Sequence, residues 1–223
     1  MNNLTLIIPA KNEKESLPSV LDELKNMNLN IHVILEKSDL NTIKSISNYN
    51  CKIIYQENKG YGDALIMGIN SVKTKYFCIF NADGSFDPKE LDFMLKKIID
   101  NGYDFIFGSR YEENSGSDDD TIITKVGNFV FTKIGNIFFK LKITDILYTY
   151  VLGNTEQAKK LSLEQKDFTF CVELPIKAQF EKMKLSTINC YERKRIGGQK
   201  KVNAFRDGYL ILLHMVKLFI KRK

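Results

Sequence analysis

The chain of 223 residues is 43% apolar and 27% charged, with 13 Gly and 4 Pro, so it encodes one globular domain rather than a disordered, collagen-like or low-complexity chain. Its net charge of +6 is uneven: residues 193–223 hold ten Lys and Arg against one acid, Asp207, which leaves the first 192 residues at −3. Cys51, Cys78, Cys171 and Cys190 form no C-x-x-C pair and only 2 His accompany them, which argues against a Cys/His zinc site and for reduced thiols in a cytoplasmic compartment. At the start of the chain Asn2, Asn3 and Thr5 stand where an export signal would carry a basic segment and a long apolar run, so none is expected.

In chain order, runs rich in Ile, Val and aromatics predict strands at 4–9, 31–35, 52–55, 76–80 and 104–107. Apolar residues at three- and four-residue spacing predict helices between them at 13–27, 41–47, 62–72 and 88–101. The alternation reads as an α/β domain with a largely parallel sheet. Ligands of such sheets gather beyond the carboxyl ends of the strands, which singles out the residues just after each run.

Residues 112–120 are polar and acidic and read as a mobile loop or joint, with Asp118, Asp119 and Asp120 solvated rather than cation-binding. Helical patterns follow at 122–141, 172–183 and 205–220, with a strand candidate at 186–191. Residues 209–220 are almost continuously apolar, but a helix of that length rises about 18 Å against a hydrocarbon core of roughly 30 Å and cannot span a bilayer. Asp207, His214, Lys217 and Lys221 fall on one polar stripe. The apolar remainder must meet the domain's own sheet, a second subunit or a membrane interface, and Lys221, Arg222 and Lys223 would be drawn to anionic lipid.

The chemistry centres on Asn81, Ala82, Asp83, Gly84 and Ser85, which follow the most apolar strand. Asp83 offers a hard carboxylate oxygen to a divalent ion, and Asn81 and Ser85 can add neutral oxygens; the alternative is an ordinary Asx turn. Three further segments end strands: Pro9, Ala10, Lys11, Asn12 and Glu13; Asn58, Lys59, Gly60, Tyr61 and Gly62; and Gly108, Ser109, Arg110 and Tyr111. Taken alone, the first could be a helix start capped by Asn12 and closed by Glu15.

In this order the four segments resemble family 2 glycosyltransferases of the GT-A fold, and most nearly their dolichyl-phosphate mannose synthase and polyprenyl-phosphate branch. The likeness continues through Ile143, Thr144 and Asp145, through residues 168–174 with Glu173, and through residues 195–201 from Arg195 to Lys201. It implies a Rossmann-like, mostly parallel sheet flanked by helices in a single domain 1–223, with a donor half at 1–111, an acceptor half at 112–205 and a C-terminal amphipathic helix at 206–223.

The same resemblance implies that Pro9, Ala10, Asn12, Glu13, Glu36, Lys59, Gly60, Gly62, Asn81 and Ala82 meet the nucleotide sugar. Asp83, with Asn81 and Ser85, would hold Mg2+ or Mn2+, and Arg110, Arg195 and Lys201 would hold phosphate groups. Asp145 and Glu173 match acidic positions of the acceptor half, candidates for a base if the acceptor is a hydroxyl. Asn81 stands where the family's D-x-D motif has an acid, which removes one negative charge from the metal site. Leu147, Tyr148, Thr149, Tyr150 and Val151 are bulkier than the family pattern after Asp145, Lys200 stands in place of a serine, and Glu36 follows the second strand without the usual aspartate pair.

The implied activity is metal-dependent, inverting sugar transfer from a nucleotide donor to a polyprenyl phosphate. The implied partners are that donor, that acceptor, a peripheral membrane surface on the cytosolic side and a second copy of the chain in a homo-oligomer, with no nucleic acid. Transfer to a glycan hydroxyl and a non-catalytic nucleotide- or polyanion-binding module are the competing readings.

Overall fold

The computed structural model describes residues 3–197 and 201–221. Gly198, Gln199 and Lys200 of the basic motif, and Arg222 and Lys223 of the terminal cluster, lie outside the described residues. The first half alternates as predicted: β1 (Leu4–Pro9), α1 (Leu17–Leu24), β2 (Asn30–Leu35), α2 (Leu40–Ser45), β3 (Lys52–Tyr55), α3 (Tyr61–Ser71), β4 (Tyr76–Ile79), α4 (Glu90–Asn101) and β5 (Phe105–Ser109). The second half holds β6 (Gly116–Ser117), α5 (Ile122–Phe139), β7 (Val151–Asn154), α6 (Thr155–Lys160), α7 (Phe170–Phe180), β8 (Leu185–Asn189), β9 (Tyr191–Glu192) and α8 (Ala204–Lys221).

Seven strands form one sheet in the order β3-β2-β1-β4-β7-β5-β8, and β7 alone runs antiparallel to its neighbours. Strands of the second half thus pair directly with β4 and β5 of the first. Side chains alternate across the sheet as strand geometry requires. Leu4, Leu6 and Ile8 of β1 enter a core with α1 and α4, and Ile7 enters the opposite core with α3, α5, α7 and α8. Both faces are covered, which explains why the strands read as continuous apolar runs.

Four expectations fail for local reasons. The first helix starts at Leu17, not at residue 13, because the preceding turn spends its backbone on other elements: Asn12 adopts φ +56° and donates its N–H to Asp39 Oδ2 (2.7 Å), and Glu13 donates to Thr42 Oγ1 (3.0 Å). Neither β7 nor α6 was expected; β7 has four residues, one of them Gly153, and α6 has six, opened by Asn154, whose side chain accepts from the N–H groups of Glu156 and Gln157. Segments this short carry no readable period.

The acidic stretch 112–120 is not a solvated joint. It contains β6, paired with β9, and each aspartate has its own partner: Asp118 accepts from the Tyr191 hydroxyl (2.6 Å), Asp119 from Arg195, and Asp120 from the hydroxyls of Tyr111 and Thr124. The stripe expected on α8 is also displaced. Asp207 is buried with Ile211, Met215 and Leu218, and accepts the N–H of Asn203 (2.8 Å). Much of the apolar remainder of α8 faces outward.

Candidate active site

The carboxyl ends of β1, β2, β4 and β5 open into a cleft of about 450 Å3. Pro9, Ala10, Glu13, Glu36, Gly60, Asn81, Ala82, Asp83, Arg110, Arg195 and Lys201 all line it, so the structure gathers most of the residues singled out from the sequence. Asn12, Lys59, Gly62, Ser85, Asp145 and Glu173 do not line it; several of them support residues that do.

The turn after β4 is built around Asp83. Its Oδ1 accepts the N–H of Ser85 (3.0 Å), and the Asn81 amide donates to Ser85 Oγ (3.1 Å). Gly84 takes φ +83°, and a Cβ there would stand 2.5 Å from Ile196 Cδ1. Residues 193–196 are laced to this turn by Arg193 N–H to Ser85 O and Ile196 N–H to Asp83 O, both 2.8 Å. Arg195 is therefore carried alongside Asp83, with Nη1 3.5 Å from Asp83 Oδ2, while its Nε and Nη2 bond both oxygens of Asp119 at 3.0 and 2.7 Å. The hydrogen bonds to Asp119 raise the guanidinium above its ordinary pKa against the opposing effect of burial.

No three acidic, His or Cys side chains converge as a metal cluster among the described residues. The donor chemistry is the Asp83 carboxylate with neutral oxygens beside it. That set fits a hard divalent ion such as Mg2+ or Mn2+ held by one carboxylate and completed by substrate phosphates and water.

Arg110, which also lines the cleft, is almost fully committed. Its Nε bonds Asp145 Oδ2 (2.7 Å), Nη2 bonds Asp145 Oδ1 (3.1 Å), Nη1 bonds Glu192 Oε2 (3.0 Å), and the guanidinium lies 4.5 Å from the centre of the Tyr148 ring. Burial would lower this group, and the carboxylates of Asp145 and Glu192 more than offset it, holding Arg110 well above its ordinary range. Asp145 is fully buried and also accepts from the Arg110 N–H (3.2 Å) and from Asn128 Nδ2 (2.7 Å), so four donors occupy its two oxygens. Glu173, equally buried, accepts the N–H groups of Glu164 and Gln165 and pairs with Lys177 at 2.8 Å.

At the β1 end Glu13 is buried between Ser16 Oγ (2.6 Å) and the ammonium of Lys201, and Glu36 accepts from Lys11 (2.9 Å). The lysine hydrogen bond lowers the Glu36 carboxyl. Gly60, which lines the cleft, and Gly62, which does not, share a packing role that their sequence did not reveal. A Cβ on Gly60 would lie 2.0 Å from Lys166 O, and one on Gly62 would lie 2.1 Å from Gln165 O, so these glycines admit the backbone of 165–167. Because backbone cannot yield as a side chain does, Gly62→Ala is expected to cost about 1–3 kcal/mol in urea unfolding, and an unchanged midpoint would contradict this packing.

Several cleft residues escaped the sequence reading. Tyr61 stacks on Phe168 with ring centroids 5.1 Å apart and bonds Thr149 through its hydroxyl (2.7 Å). Asn128, Glu192 and Tyr148 complete the Arg110 network. Cys171 also lines the cleft, with burial pushing its thiol up to about 12, which leaves it a poor nucleophile. The bulky residues after Asp145 have a reason: Tyr148 lies beneath Arg110, and Tyr150 stacks on Phe86 at 4.4 Å in the core.

Comparison with known proteins agrees with this architecture. An uncharacterized protein of Methanocaldococcus jannaschii is 25% identical over 194 residues, covering 84% of this chain and 80% of its own. The UDP-N-acetylglucosamine–dolichyl-phosphate N-acetylglucosaminyltransferase of Methanococcus voltae is 27% identical over 207 residues, covering 82% of each chain. The glucosyl-3-phosphoglycerate synthase of Mycobacterium tuberculosis, in a crystal structure with Mn2+, UDP and glucosyl-3-phosphoglycerate, superposes with a TM-score of 0.73 at 12% identity, over 99% of this chain and 79% of its own. The model of the family described as Glycosyl transferase family 2 matches residues 5–161, which take in β1 to α6 and the Asp83, Arg110 and Asp145 positions. With that match spanning most of the chain and a cleft at the strand ends of a GT-A sheet, the chain belongs to glycosyl transferase family 2, whose members move a sugar from a nucleotide-sugar donor.

Proposed function

We propose that this glycosyltransferase transfers its sugar to a polyprenyl phosphate at an anionic membrane surface, with inversion at the anomeric carbon and a divalent cation at Asp83. The observation that carries the reading is the outer face of α5 and α8. Fourteen large apolar side chains on these two helices are exposed, among them Ile122 (83%), Ile137 (68%), Phe205 (81%) and Ile220 (66%). The helices pack on each other through Phe138 and Phe139 against Phe219, and α5 reaches the cleft at Thr124 and Asn128. An exposed apolar surface of this extent marks an interaction site.

Charge selects its occupant. Lys125, Lys133, Lys140, Lys142, Arg206, Lys217 and Lys221, on or beside the two helices, are all exposed, and the single acid of these segments, Asp207, is buried. A second copy would bring like charges together, whereas an anionic bilayer complements them at on the order of 1 kcal/mol per charge. No described helix is long and apolar enough to cross a membrane, so contact would be with the interface. The relative of Methanococcus voltae is named for a dolichyl-phosphate acceptor, which supports the same class.

The chemistry is consistent with that acceptor. A phosphate monoester is already anionic, so its oxygen can attack the anomeric carbon as the bond to the nucleoside diphosphate breaks, with no protein base required. A hydroxyl acceptor would need one, and both Asp145 and Glu173 are buried and engaged. Arg195 and Lys201, with the remaining N–H groups of Arg110, would hold the phosphates. The cation, held by Asp83 with Asn81 beside it, would supply charge neutralisation on the departing diphosphate.

Vesicle co-sedimentation of the full chain tests the surface. Binding should require anionic lipid, fall with added salt, and drop at least tenfold in the variant Phe129→Asp with Leu213→Asp, whose exposed positions leave the core intact. Indifference to anionic vesicles at low salt, or a dimer broken by the same variant, would overturn membrane docking. Transfer to a free glycan but none to a short polyprenyl phosphate would overturn the acceptor.

A further inference from the structure

We propose that Arg195 couples cation binding at Asp83 to binding of the donor's diphosphate, and that Asp119 holds Arg195 in the position from which it does so. The inference rests on the reading of Asp83 as the cation's ligand. Asp83 has one oxygen, Oδ1, taken by the Ser85 N–H, and the other, Oδ2, faces Arg195 Nη1 at 3.5 Å. Oδ1 keeps a free lone pair and Oδ2 faces the guanidinium, so a divalent ion on either oxygen of this carboxylate comes close to a positive charge that is held in place. A cation arriving alone meets that charge at close range in a partly buried cleft, where screening is weak.

A diphosphate changes the sign of the interaction. Its oxygens can bond the cation on one side and Arg195 on the other, so each ligand removes the obstacle to the other. Arg195 cannot simply swing clear. Its backbone neighbours are laced to the Asp83 turn by two hydrogen bonds of 2.8 Å, and its Nε and Nη2 are held by Asp119 at 3.0 and 2.7 Å. Asp119 belongs to the acidic stretch that β6 and β9 fasten to the domain, and it also lines the cleft. It lies off the Asp83 turn and holds the guanidinium at 3.0 and 2.7 Å, closer than the 3.5 Å to Asp83, so its pull opposes a lean toward Asp83.

Two variants separate these roles by sign. In the wild type, Mn2+ bound without nucleotide, counted by the free-ion electron paramagnetic resonance signal, should be weak and should tighten on adding UDP or GDP. Arg195→Gln should tighten Mn2+ binding without nucleotide on the order of tenfold and shrink the gain produced by the nucleotide. Asp119→Asn, which frees Arg195 to pair with Asp83, should weaken nucleotide-free Mn2+ binding, and should do so much less in an Arg195→Gln background, where only the charge of Asp119 itself is lost. Circular dichroism confirms that each variant is folded, and either variant alone decides the question if the other is not. Mn2+ affinities equal to the wild type in both variants would overturn the coupling. An Asp83→Ala protein that binds Mn2+ with nucleotide as the wild type does would instead overturn the parent assignment of the cation's ligand, a different and separately visible outcome.

Discussion

Asp83→Ala is expected to lose about three orders of magnitude in sugar transfer while its unfolding midpoint stays near that of the wild type. The loss follows from charge: without that carboxylate the leaving diphosphate forfeits neutralisation of the order of 4 kcal/mol, which is ~10^3-fold in rate. The fold is spared because the side chain fills no core and its removal orphans a single partner, the Ser85 N–H, at about 1 kcal/mol. Arg195 keeps its two bonds to Asp119. Turnover with radiolabelled sugar nucleotides and calorimetric unfolding are the paired measurements. A variant that retains a tenth or more of the wild-type rate, and is indifferent to chelator, would remove Asp83 from the reaction. Asn81→Asp is the companion: a second charge beside Asp83 should tighten Mn2+ binding, and no change would place Asn81 on the nucleotide or outside the site.

The part of the cleft around Asp83 was legible because its residues follow apolar strands within a few positions, where chain order and spatial order coincide. Pro9, Glu36, Gly60 and Asp83 come from four successive strand ends, and the parallel order β3-β2-β1-β4 lines those ends up along one edge. The networks around Arg110 and Arg195 were not legible in the same way, because their contacts join residues far apart in sequence. Arg110 reaches Asp145 and Glu192, and Arg195 reaches back to Asp119, pairings that no local period encodes. The acidic run 118–120 misled for the same reason: a cluster of aspartates reads as solvated until the Tyr191, Arg195 and Tyr111 that meet it are brought in by β9 and β5. On α8 the apolar pattern was visible but its direction was not. Asp207 turned inward because the N–H of Asn203, next to the helix start, needed an acceptor.

Among the polar residues that support the cleft from behind its lining, Asp145→Ala should be the most destabilising, at about 3–5 kcal/mol, because it leaves a buried guanidinium with one of its two carboxylate partners missing. The test that separates positioning from simple architecture is a double-mutant cycle. In an Arg110→Ala background the charge to be compensated is gone, so Asp145→Ala should cost much less there, and equal costs in both backgrounds would deny the coupling. Kinetics give the second readout. If Asp145 acts through Arg110, the conservative Asp145→Asn, assayed where it remains folded, should raise KM for the phosphate acceptor more than it lowers kcat. It should also leave the shape of the pH–rate profile unchanged, since four donors on its oxygens give it no lone pair for a proton from the acceptor. A profile that loses its acidic limb in Asp145→Asn would identify a working base, restore the hydroxyl acceptor as the better reading, and take the polyprenyl phosphate with it.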